Sequence, residues 1–309
     1  MKTLNVLLVA ATEAEAAVFT KAAVPGAGRN TPFGQDDSPE RNGFSGQDGI
    51  SQQGDFPGRS DFPERERDDF PGGDGISDGY VMGNLNLSIL VTGIGSTATA
   101  WALTRRLCTG PRPDLVINAG IAGSFRDSLK TGDVVIPVSD CFADEGVESA
   151  EGFLTLSEAG LQDPDKHPFT KGRINTFSSA AGIYYSDTGD QSSGAGDQQP
   201  SPFFGKKTVV PDSFFKLASG TIRSVNAVTV STVTGSLETA GRLMRKYDPD
   251  IETMEGAAFF YVCSREAVPF IALRAVSNRV GIRDRGSWNI PLALENLTLV
   301  LENLLKKLC

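Results

Sequence analysis

Histidine and cysteine are scarce in this sequence, and their scarcity excludes several chemistries. The 309 residues contain one histidine, His167, and four scattered cysteines without a CxxC pair: Cys108, Cys141, Cys263 and Cys309. A zinc site of ordinary ligand spacing and a histidine-dependent nucleophilic triad are therefore excluded, and His167 is expected to be exposed. Scattered cysteines are typical of a reducing compartment, so we predict a cytoplasmic protein without a metal or other cofactor.

Long apolar runs and clustered basic residues are also absent. No stretch approaches the roughly 18 to 20 apolar residues that span a bilayer. The run Leu4–Ala11 after Met1-Lys2 resembles a signal peptide, but it is short and leads directly into Glu13 and Glu15, so this interpretation is the weaker one. The net charge of −9 provides no basic surface for nucleic acid or for a membrane.

Most of the acidic surplus lies in a segment without periodicity. Residues 27–79 hold five Arg against twelve Asp and Glu, a net charge of −7, and an Asp-Phe-Pro triplet occurs three times, at 55, 61 and 69. Such a composition cannot bury enough apolar surface to offset the entropy of ordering the backbone. We therefore predict two disordered inserts, at 26–79 and at about 186–201. An inert loop expansion is favoured over a phenylalanine-bearing interaction motif.

The remaining sequence alternates between short apolar runs and helical patterns. Strands are predicted at 4–11, 85–91, 114–119, 133–138, 222–231 and 269–277, and helices at 13–23, 96–108, 237–247, 255–266 and 291–308. This alternation predicts an α/β fold: one domain over 1–309, interrupted by the two inserts, with a central mixed, largely parallel twisted sheet flanked by helices. Ligands of such sheets bind beyond the carboxyl ends of the strands.

A glycine-rich loop follows the second predicted strand. Residues 92–98, Thr-Gly-Ile-Gly-Ser-Thr-Ala, fit the G-x-G-x-x-A form of the dinucleotide fingerprint. That fingerprint also requires an acidic residue at the end of the next strand, whereas Asp114 precedes its strand. A dinucleotide oxidoreductase is thus the weaker alternative, and the glycines are interpreted as close packing of a helix on a strand beside another ligand.

Carboxylates, amides and glycines follow four of the predicted strands. Glu13 and Glu15 come after the first, Asn-Ala-Gly-Ile-Ala-Gly at 118–123 after the third, Glu255 at a strand-to-helix junction, and Asn278 after the last. Taken singly, Glu13 is the better candidate for a helix-dipole partner, Glu255 for a helix cap and Asn278 for a turn residue. Together they predict a polar site at one edge of the sheet.

These residues carry a resemblance to a known family. The motifs are 11–15 (Ala-Thr-Glu-Ala-Glu), 92–95, 118–123, 132–135 (Gly-Asp-Val-Val), 252–258 (Glu-Thr-Met-Glu-Gly-Ala-Ala) and 274–278 (Arg-Ala-Val-Ser-Asn). They resemble the nucleoside phosphorylase superfamily, within it the methylthioadenosine/S-adenosylhomocysteine nucleosidase branch, and specifically the futalosine hydrolases of menaquinone biosynthesis. The resemblance implies a nucleoside phosphorylase-like fold, a purine nucleoside substrate and a homodimer or higher homo-oligomer.

The resemblance also implies roles for individual residues. Glu15 occupies the position of the carboxylate that polarises the attacking water, and Asn278 that of the group facing the leaving base. Glu255 would bind the ribose hydroxyls, with Met254 under the sugar. The other implied substrate contacts are Thr92 and Gly93 beside the ribose and water, and Ser231, Thr232, Val233 and Thr234 beside the base.

Asn278 departs from the adenine-specific members, which carry Asp there. An amide cannot deliver a proton, but it presents both a donor and an acceptor, which suits purine N7 and a 6-oxo group. The expected reaction is therefore hydrolysis of the N-glycosidic bond of a 6-oxopurine nucleoside, most simply futalosine to hypoxanthine and dehypoxanthine futalosine. The identity of the general acid stays open.

Three alternatives stay open beside this hydrolase. A purine nucleoside phosphorylase needs cations for phosphate, for which Arg274, Arg279 and Arg283 are the candidates, although Glu15 would repel the anion. An adenine-type nucleosidase would require a different solution at Asn278. A catalytically silent nucleoside-binding sensor would retain the fold, and the presence of both Glu15 and Glu255 counts against it.

Overall fold

The computed structural model describes residues 3–23, 76–150, 152–176, 222–281, 286 and 288–309, all within one compact unit. The second predicted insert and nearly all of the first lie outside these residues. The described helices are α1 (Glu13–Ala23), α2 (Ser96–Thr109), α3 (Leu237–Tyr247), α4 (Gly256–Arg265) and α5 (Ile290–Leu308). The described strands are β1 (Leu4–Ala10), β2 (Ile76–Met82), β3 (Leu85–Val91), β4 (Leu115–Ser124), β5 (Val134–Asp140), β6 (Gly146–Ser149), β7 (Gly152–Thr155), β8 (Phe169–Thr170), β9 (Arg173–Asn175), β10 (Arg223–Thr229), β11 (Ile251–Thr253) and β12 (Phe270–Arg279).

The main sheet is mixed, as predicted. Its order is β2-β3-β1-β4-β11-β10-β5-β9-β8, and β6 and β7 form a separate hairpin. The longest ladders, β1 with β3 and β12 with β4, are parallel, whereas the antiparallel ladders are short apart from the β2–β3 hairpin. The flanking helices and mixed sheet confirm the predicted fold class.

Strand β12 closes part of this sheet into a ring. It pairs in parallel with β4 and antiparallel with β5, while β4 continues through β11 and β10 back to β5. The ring brings the ends of β4, β5, β10, β11 and β12 together. Side chains from five strands can therefore meet at one place in the interior.

Burial of both sheet faces explains the continuous apolar runs. In β1, Val6 and Leu8 pack on one face with α1 and α5, while Leu7 and Val9 pack on the other with α4. Successive side chains of a strand point to opposite faces, so a strand covered on both sides needs apolar residues at every position. No helix in the described ranges is long and apolar enough to cross a membrane.

The element boundaries differ from the prediction at three informative places. Residues 76–79 were expected to end the first insert, but they begin β2, which pairs with β3 across a turn that contains Gly83 at φ +58°. Strand β4 continues past Asn118 to Ser124, and β12 continues to Arg279. Asn118 and Asn278 therefore lie within strands rather than just beyond them, because each strand pairs further than its apolar run extends.

Candidate active site

Glu15 is held at the start of α1 by a capping box. Its Oε2 accepts hydrogen bonds at 3.2 Å from the Ala11 and Thr12 backbone amides and from Thr12 Oγ1, and its own amide donates to Thr12 Oγ1 at 3.3 Å. This is the reciprocal pattern expected of Thr-x-x-Glu. Glu13, the predicted helix-dipole partner, also lies in the first turn of α1, whereas Glu15 closes the capping box because it stands three positions after Thr12.

The second carboxylate oxygen of Glu15 reaches β4. Oε1 accepts a hydrogen bond from the Ile121 amide at 3.0 Å, and the side chain is 9% exposed. The carboxylate lies directly over Gly120, where a Cβ would come within 2.6 Å of Oε1. Donors on both oxygens therefore fix one orientation of the carboxylate, and the glycine provides the space for it.

Glu255 receives the amide of the glycine-rich loop. Gly95 precedes α2 at φ +93°, a conformation that favours glycine, and its N–H donates to Glu255 Oε1 at 2.8 Å. Ser96 Oγ donates to the Met254 carbonyl at 3.2 Å. The N-terminus of α2 thus binds a carboxylate of the chain itself, which is the place where the dinucleotide interpretation requires a pyrophosphate.

Arg274 lies buried between the carboxylates and β4. It is 2% exposed, and its guanidinium donates to the Asn118 side-chain oxygen, to the Asn118 carbonyl at 3.3 Å and to the Leu273 carbonyl at 2.9 Å. Burial lowers the pKa of Arg274, while the charges of Glu255 and Glu15 raise it. The arginine supplies positive charge behind two carboxylates.

The environment of Glu255 favours its neutral form more than water does. Burial raises the pKa of Glu255, and the charge of Glu15 adds to this shift. The Gly95 hydrogen bond and the charge of Arg274 oppose it. Glu15 and Glu255, predicted to share an edge, are therefore brought close enough together to interact electrostatically.

Asn278 is buried at the far end of β12. Its Oδ1 accepts from Ser277 Oγ at 2.8 Å, and its Nδ2 donates to the Arg279 carbonyl at 3.0 Å. A Cβ on Gly123 of β4 would lie 3.3 Å from Nδ2. An amide offers two donor hydrogens and two acceptor lone pairs, and the described residues use one position at each end of Asn278.

The remaining predicted contacts are tied to neighbouring polar groups. The Thr92 hydroxyl bonds with the Ala10 and Gly93 carbonyls and with Thr99 Oγ1. After β10, the Ser231 amide donates to Asp144 at 2.5 Å, and the Thr234 amide and hydroxyl both bond with Glu252. Thr232 and Val233 lie between these two anchors. Acidic side chains thus fix both ends of the segment 231–234.

Two of the three arginines considered for phosphate are engaged elsewhere. Arg274 is bound to β4 as described, and Arg279 forms an ion pair with Asp127 at 2.9 Å near the surface. Arg283 lies outside the described residues. His167 is exposed, as predicted. The charges of Glu15 and Glu255 both act on Arg274, and in the part of the chain that the structure covers no basic side chain is hydrogen-bonded to either carboxylate.

The sequence interpretation missed a buried polar cluster beneath Glu255. Asp140 at the end of β5 is fully buried, and its Oδ1 accepts from the Cys141 amide at 2.8 Å and from Thr229 Oγ1 at 3.0 Å. Its Oδ2 has no hydrogen-bond partner among the residues that the structure describes. The available signal was a polar residue beside a short apolar run: Asp140 follows 134–138 after one serine, and Thr229 follows Ala227-Val228.

Asp140 should make stability depend on pH. Burial raises the pKa of Asp140 from 3.8 to about 7, despite the Thr229 hydrogen bond and the charges of Arg173 and Arg274. The folded chain then binds one more proton than the unfolded chain between about pH 4 and pH 7, so this contribution to the free energy of unfolding falls as pH rises through that window. We expect Asp140→Asn to remove a slope of up to about 1.4 kcal/mol per pH unit.

Urea unfolding at pH 5, 6, 7 and 8 measures this effect. Asp133→Asn is the matched control, since it makes the same change at an exposed residue directly before β5. Parallel pH profiles for wild type and Asp140→Asn would show that Asp140 is already ionised in the folded chain at pH 5.

Comparison with known proteins places this arrangement in a family. A model of the phosphorylase superfamily matches residues 54–309. The chain belongs to the phosphorylase superfamily. The matched superfamily region includes the glycine-rich loop, Arg274, Glu255 and Asn278, and it begins after β1 and α1, so the assignment is independent of Glu15.

Among the superfamily relatives are two futalosine hydrolases. That of Streptomyces coelicolor is 30% identical over 218 residues, which cover 68% of this chain and 74% of the relative. That of Acidothermus cellulolyticus is 33% identical over 210 residues, covering 68% and 71%.

Solved superfamily structures share the fold at lower identity. The native structure of futalosine hydrolase from Helicobacter pylori matches with a TM-score of 0.58 at 15% identity, covering 99% of this chain and 97% of that one. The 5′-methylthioadenosine/S-adenosylhomocysteine nucleosidase of Neisseria meningitidis, in complex with methylthio-immucillin-A, matches with a TM-score of 0.59 at 18% identity, covering 98% and 99%.

Proposed function

We propose that the chain hydrolyses the N-glycosidic bond of a 6-oxopurine nucleoside, and that this nucleoside is futalosine. The observation that carries the proposal is that two carboxylates, Glu15 and Glu255, are held by the Ile121 and Gly95 amides and interact through their charges. Cleavage of this bond passes through a cation-like ribosyl state, which fixed negative charge stabilises. The names of the futalosine hydrolase relatives support the choice of substrate.

On the sugar side, Glu15 accepts a proton from water as the water oxygen attacks C1′. Glu255 accepts hydrogen bonds from the ribose hydroxyls, with Met254 under the sugar and Thr92 and Gly93 along the ribose and water site. The fixed orientation of the Glu15 carboxylate supports this role, because a positioned base needs no reorganisation during the reaction. The C1′–N9 bond breaks, and the C1′–O bond forms on the opposite face.

On the base side, Asn278 donates to one acceptor of the purine and accepts from a neighbouring N–H, with segment 231–234 flanking the ring. The Asn278 amide cannot release a proton, so the departing hypoxanthine takes its proton from solvent. Hydrogen bonds that strengthen as negative charge develops on the base stabilise the transition state more than the bound substrate.

Hydrolysis is favoured over phosphorolysis because both described candidate arginines are already bound within the chain. Arg274 donates to Asn118 and to backbone carbonyls, and Arg279 pairs with Asp127. Binding of a phosphate dianion usually requires guanidinium groups that are available for bidentate contacts. Two carboxylates beside the anomeric carbon would also repel that anion.

The test is product analysis with the purified full chain. Futalosine, inosine and methylthioadenosine are incubated in parallel, with and without phosphate, and free base and sugar are separated by chromatography. Hypoxanthine from futalosine at a rate independent of phosphate is the expected result. Adenine release would overturn the assignment of the base, strict phosphate dependence would overturn hydrolysis, and the absence of any product would overturn the nucleosidase.

The amide of Asn278 should set the choice of base. We expect Asn278→Asp to raise kcat/KM for methylthioadenosine relative to futalosine by about tenfold, since one mismatched hydrogen bond is worth roughly 1–3 kcal/mol. Competition between the two substrates in one reaction measures the ratio directly. Asn86→Asp makes the same change at an exposed position of β3 and should leave the ratio unchanged. If the ratio for Asn278→Asp equals that of wild type, Asn278 does not recognise the base.

The place and assembly of the enzyme are part of the same proposal. Scattered cysteines support a cytoplasmic location, which fractionation of cells tests. A homodimer or higher homo-oligomer is supported by two exposed apolar side chains, Ile94 in the loop before α2 and Trp101 within α2, which are 63% and 64% exposed. Sedimentation velocity distinguishes an oligomer from a monomer.

A further inference from the structure

The N-terminus of α4 is capped by side chains from two strands of the sheet. Glu255 is the N-cap residue, yet its side chain makes no capping hydrogen bond. The Gly256 amide donates instead to Thr253 Oγ1 at 3.2 Å, and the Ala257 amide donates to Thr229 Oγ1 at 2.7 Å. The first amides of a helix need partners from outside the helix, and an N-cap side chain normally supplies one. Because two threonines supply them here, the Glu255 carboxylate is released to reach Gly95.

The orientation of the Thr229 hydroxyl depends on Asp140. A hydroxyl has a single hydrogen, and Thr229 Oγ1 lies 3.0 Å from Asp140 Oδ1 and 2.7 Å from the Ala257 amide nitrogen. Since the amide can only donate, the hydroxyl accepts there, and its own hydrogen is available for Asp140. Thr229 Oγ1 also lies 3.2 Å from Thr253 Oγ1, a contact in which either hydroxyl can donate. With Thr253 as the donor there, the hydrogen bond to Asp140 directs a lone pair of Thr229 towards α4.

Gly256, the residue after Glu255, packs directly against the Asp140 carboxylate. A Cβ at position 256 would overlap Asp140 Oδ2, and it would also lie 2.8 Å from Thr253 Oγ1. The buried carboxylate thus packs against the α4 backbone one residue beyond Glu255. A group that is fully buried, with one oxygen unpartnered, is expensive to retain in a core. The steps of the proposed reaction do not use it directly.

We propose that Asp140 and Thr229 are positioning residues for Glu255. They replace its side chain as the cap of α4 and so leave its carboxylate free for the ribose. This inference rests on the proposed function, because Glu255 is given its ribose-binding role there. It differs from a purely structural role, since a structural residue affects folding without acting through the Glu255 carboxylate.

The direct test measures hydrogen exchange of the Gly95 amide, which donates its hydrogen bond to Glu255 Oε1. Thr229→Val keeps the branched shape and removes the hydroxyl, and Thr229→Ser restores it. With selectively ¹⁵N-glycine-labelled protein, we expect Thr229→Val and Asp140→Ala to speed exchange of the Gly95 amide by about tenfold, roughly the effect of one hydrogen bond. Thr229→Ser should stay within about twofold of wild type. Thr298→Val, which removes a hydroxyl bonded within α5, is the matched control.

A kinetic cycle tests the same link through activity. Thr229→Val should lower kcat/KM for futalosine by about tenfold. It should add no further loss in a Glu255→Gln background, because both changes act through one carboxylate. Equal losses in both backgrounds, or unchanged Gly95 exchange in a folded Thr229→Val protein, would overturn the inference. A wild-type chain that cleaves no nucleoside would instead overturn the proposed function, and the Gly95 measurement would still decide the positioning.

Discussion

Replacement of Glu15 by Gln is expected to lower kcat by about 10²–10⁴-fold, the usual contribution of a positioned general base. The carboxamide retains the shape of the side chain but cannot accept the proton of the attacking water. Glu255 and Asn278 are untouched, so binding of the nucleoside should persist. Single-turnover hydrolysis, together with isothermal titration of the substrate, measures the two effects separately.

Glu13→Gln is the control for this prediction, because it makes the identical change two residues away on an exposed position of α1. Its kcat should match that of wild type. Both oxygens of Glu15 accept from N–H or O–H groups, so one donor is left unsatisfied in Glu15→Gln, and the free energy of unfolding should fall by about 1–3 kcal/mol. The assays therefore belong well below the melting temperature. Undiminished turnover in a folded Glu15→Gln protein would show that Glu15 takes no part in the reaction. If the wild-type chain also forms no product, a nucleoside sensor is favoured.

The local part of the fold could be predicted from the sequence. The bounds of α1 and α3 match the structure, because the apolar spacing of a helix is complete within a few residues. The same holds for the strand that precedes the glycine-rich loop, β3. In each case the signal and the structure involve the same short segment. Positions such as Glu15, Glu255 and the Gly95 loop follow from these segments and from the rule that ligands gather at strand ends.

The remaining features depend on pairs that are distant in sequence. Ring closure requires β12 to pair with both β4 and β5, and no local pattern records two partners. The cap of α4 combines Thr229 from β10 with Thr253 from β11, and its orientation depends on Asp140 from β5. Each of these residues has an ordinary local interpretation as the polar end of a strand. Their joint role arises only when the ring brings three strand ends under one helix.

The glycine beneath Glu15 should control activity almost as strongly as Glu15 itself. Gly120 lies in β4 with ordinary strand geometry, so its backbone accepts alanine, but the new Cβ would lie 2.6 Å from Glu15 Oε1. The carboxylate must then turn away from the Ile121 amide and from the proposed water site. A displacement of about 1 Å can reduce turnover by 10²-fold, and we expect a loss of this size for Gly120→Ala. Gly79→Ala, whose Cβ would make only a 3.5 Å contact in β2, is the matched control.

A double mutant separates this cause from general disruption. If Gly120→Ala acts by displacing Glu15, then Gly120→Ala combined with Glu15→Gln should be no slower than Glu15→Gln alone, since residues that act through one group are not additive. Steady-state hydrolysis of futalosine by the four proteins provides the cycle. Multiplicative losses would mean that the alanine disturbs β4 and the substrate by another route. Free-energy losses that add within error would therefore contradict the idea that Gly120 provides the space for the Glu15 carboxylate.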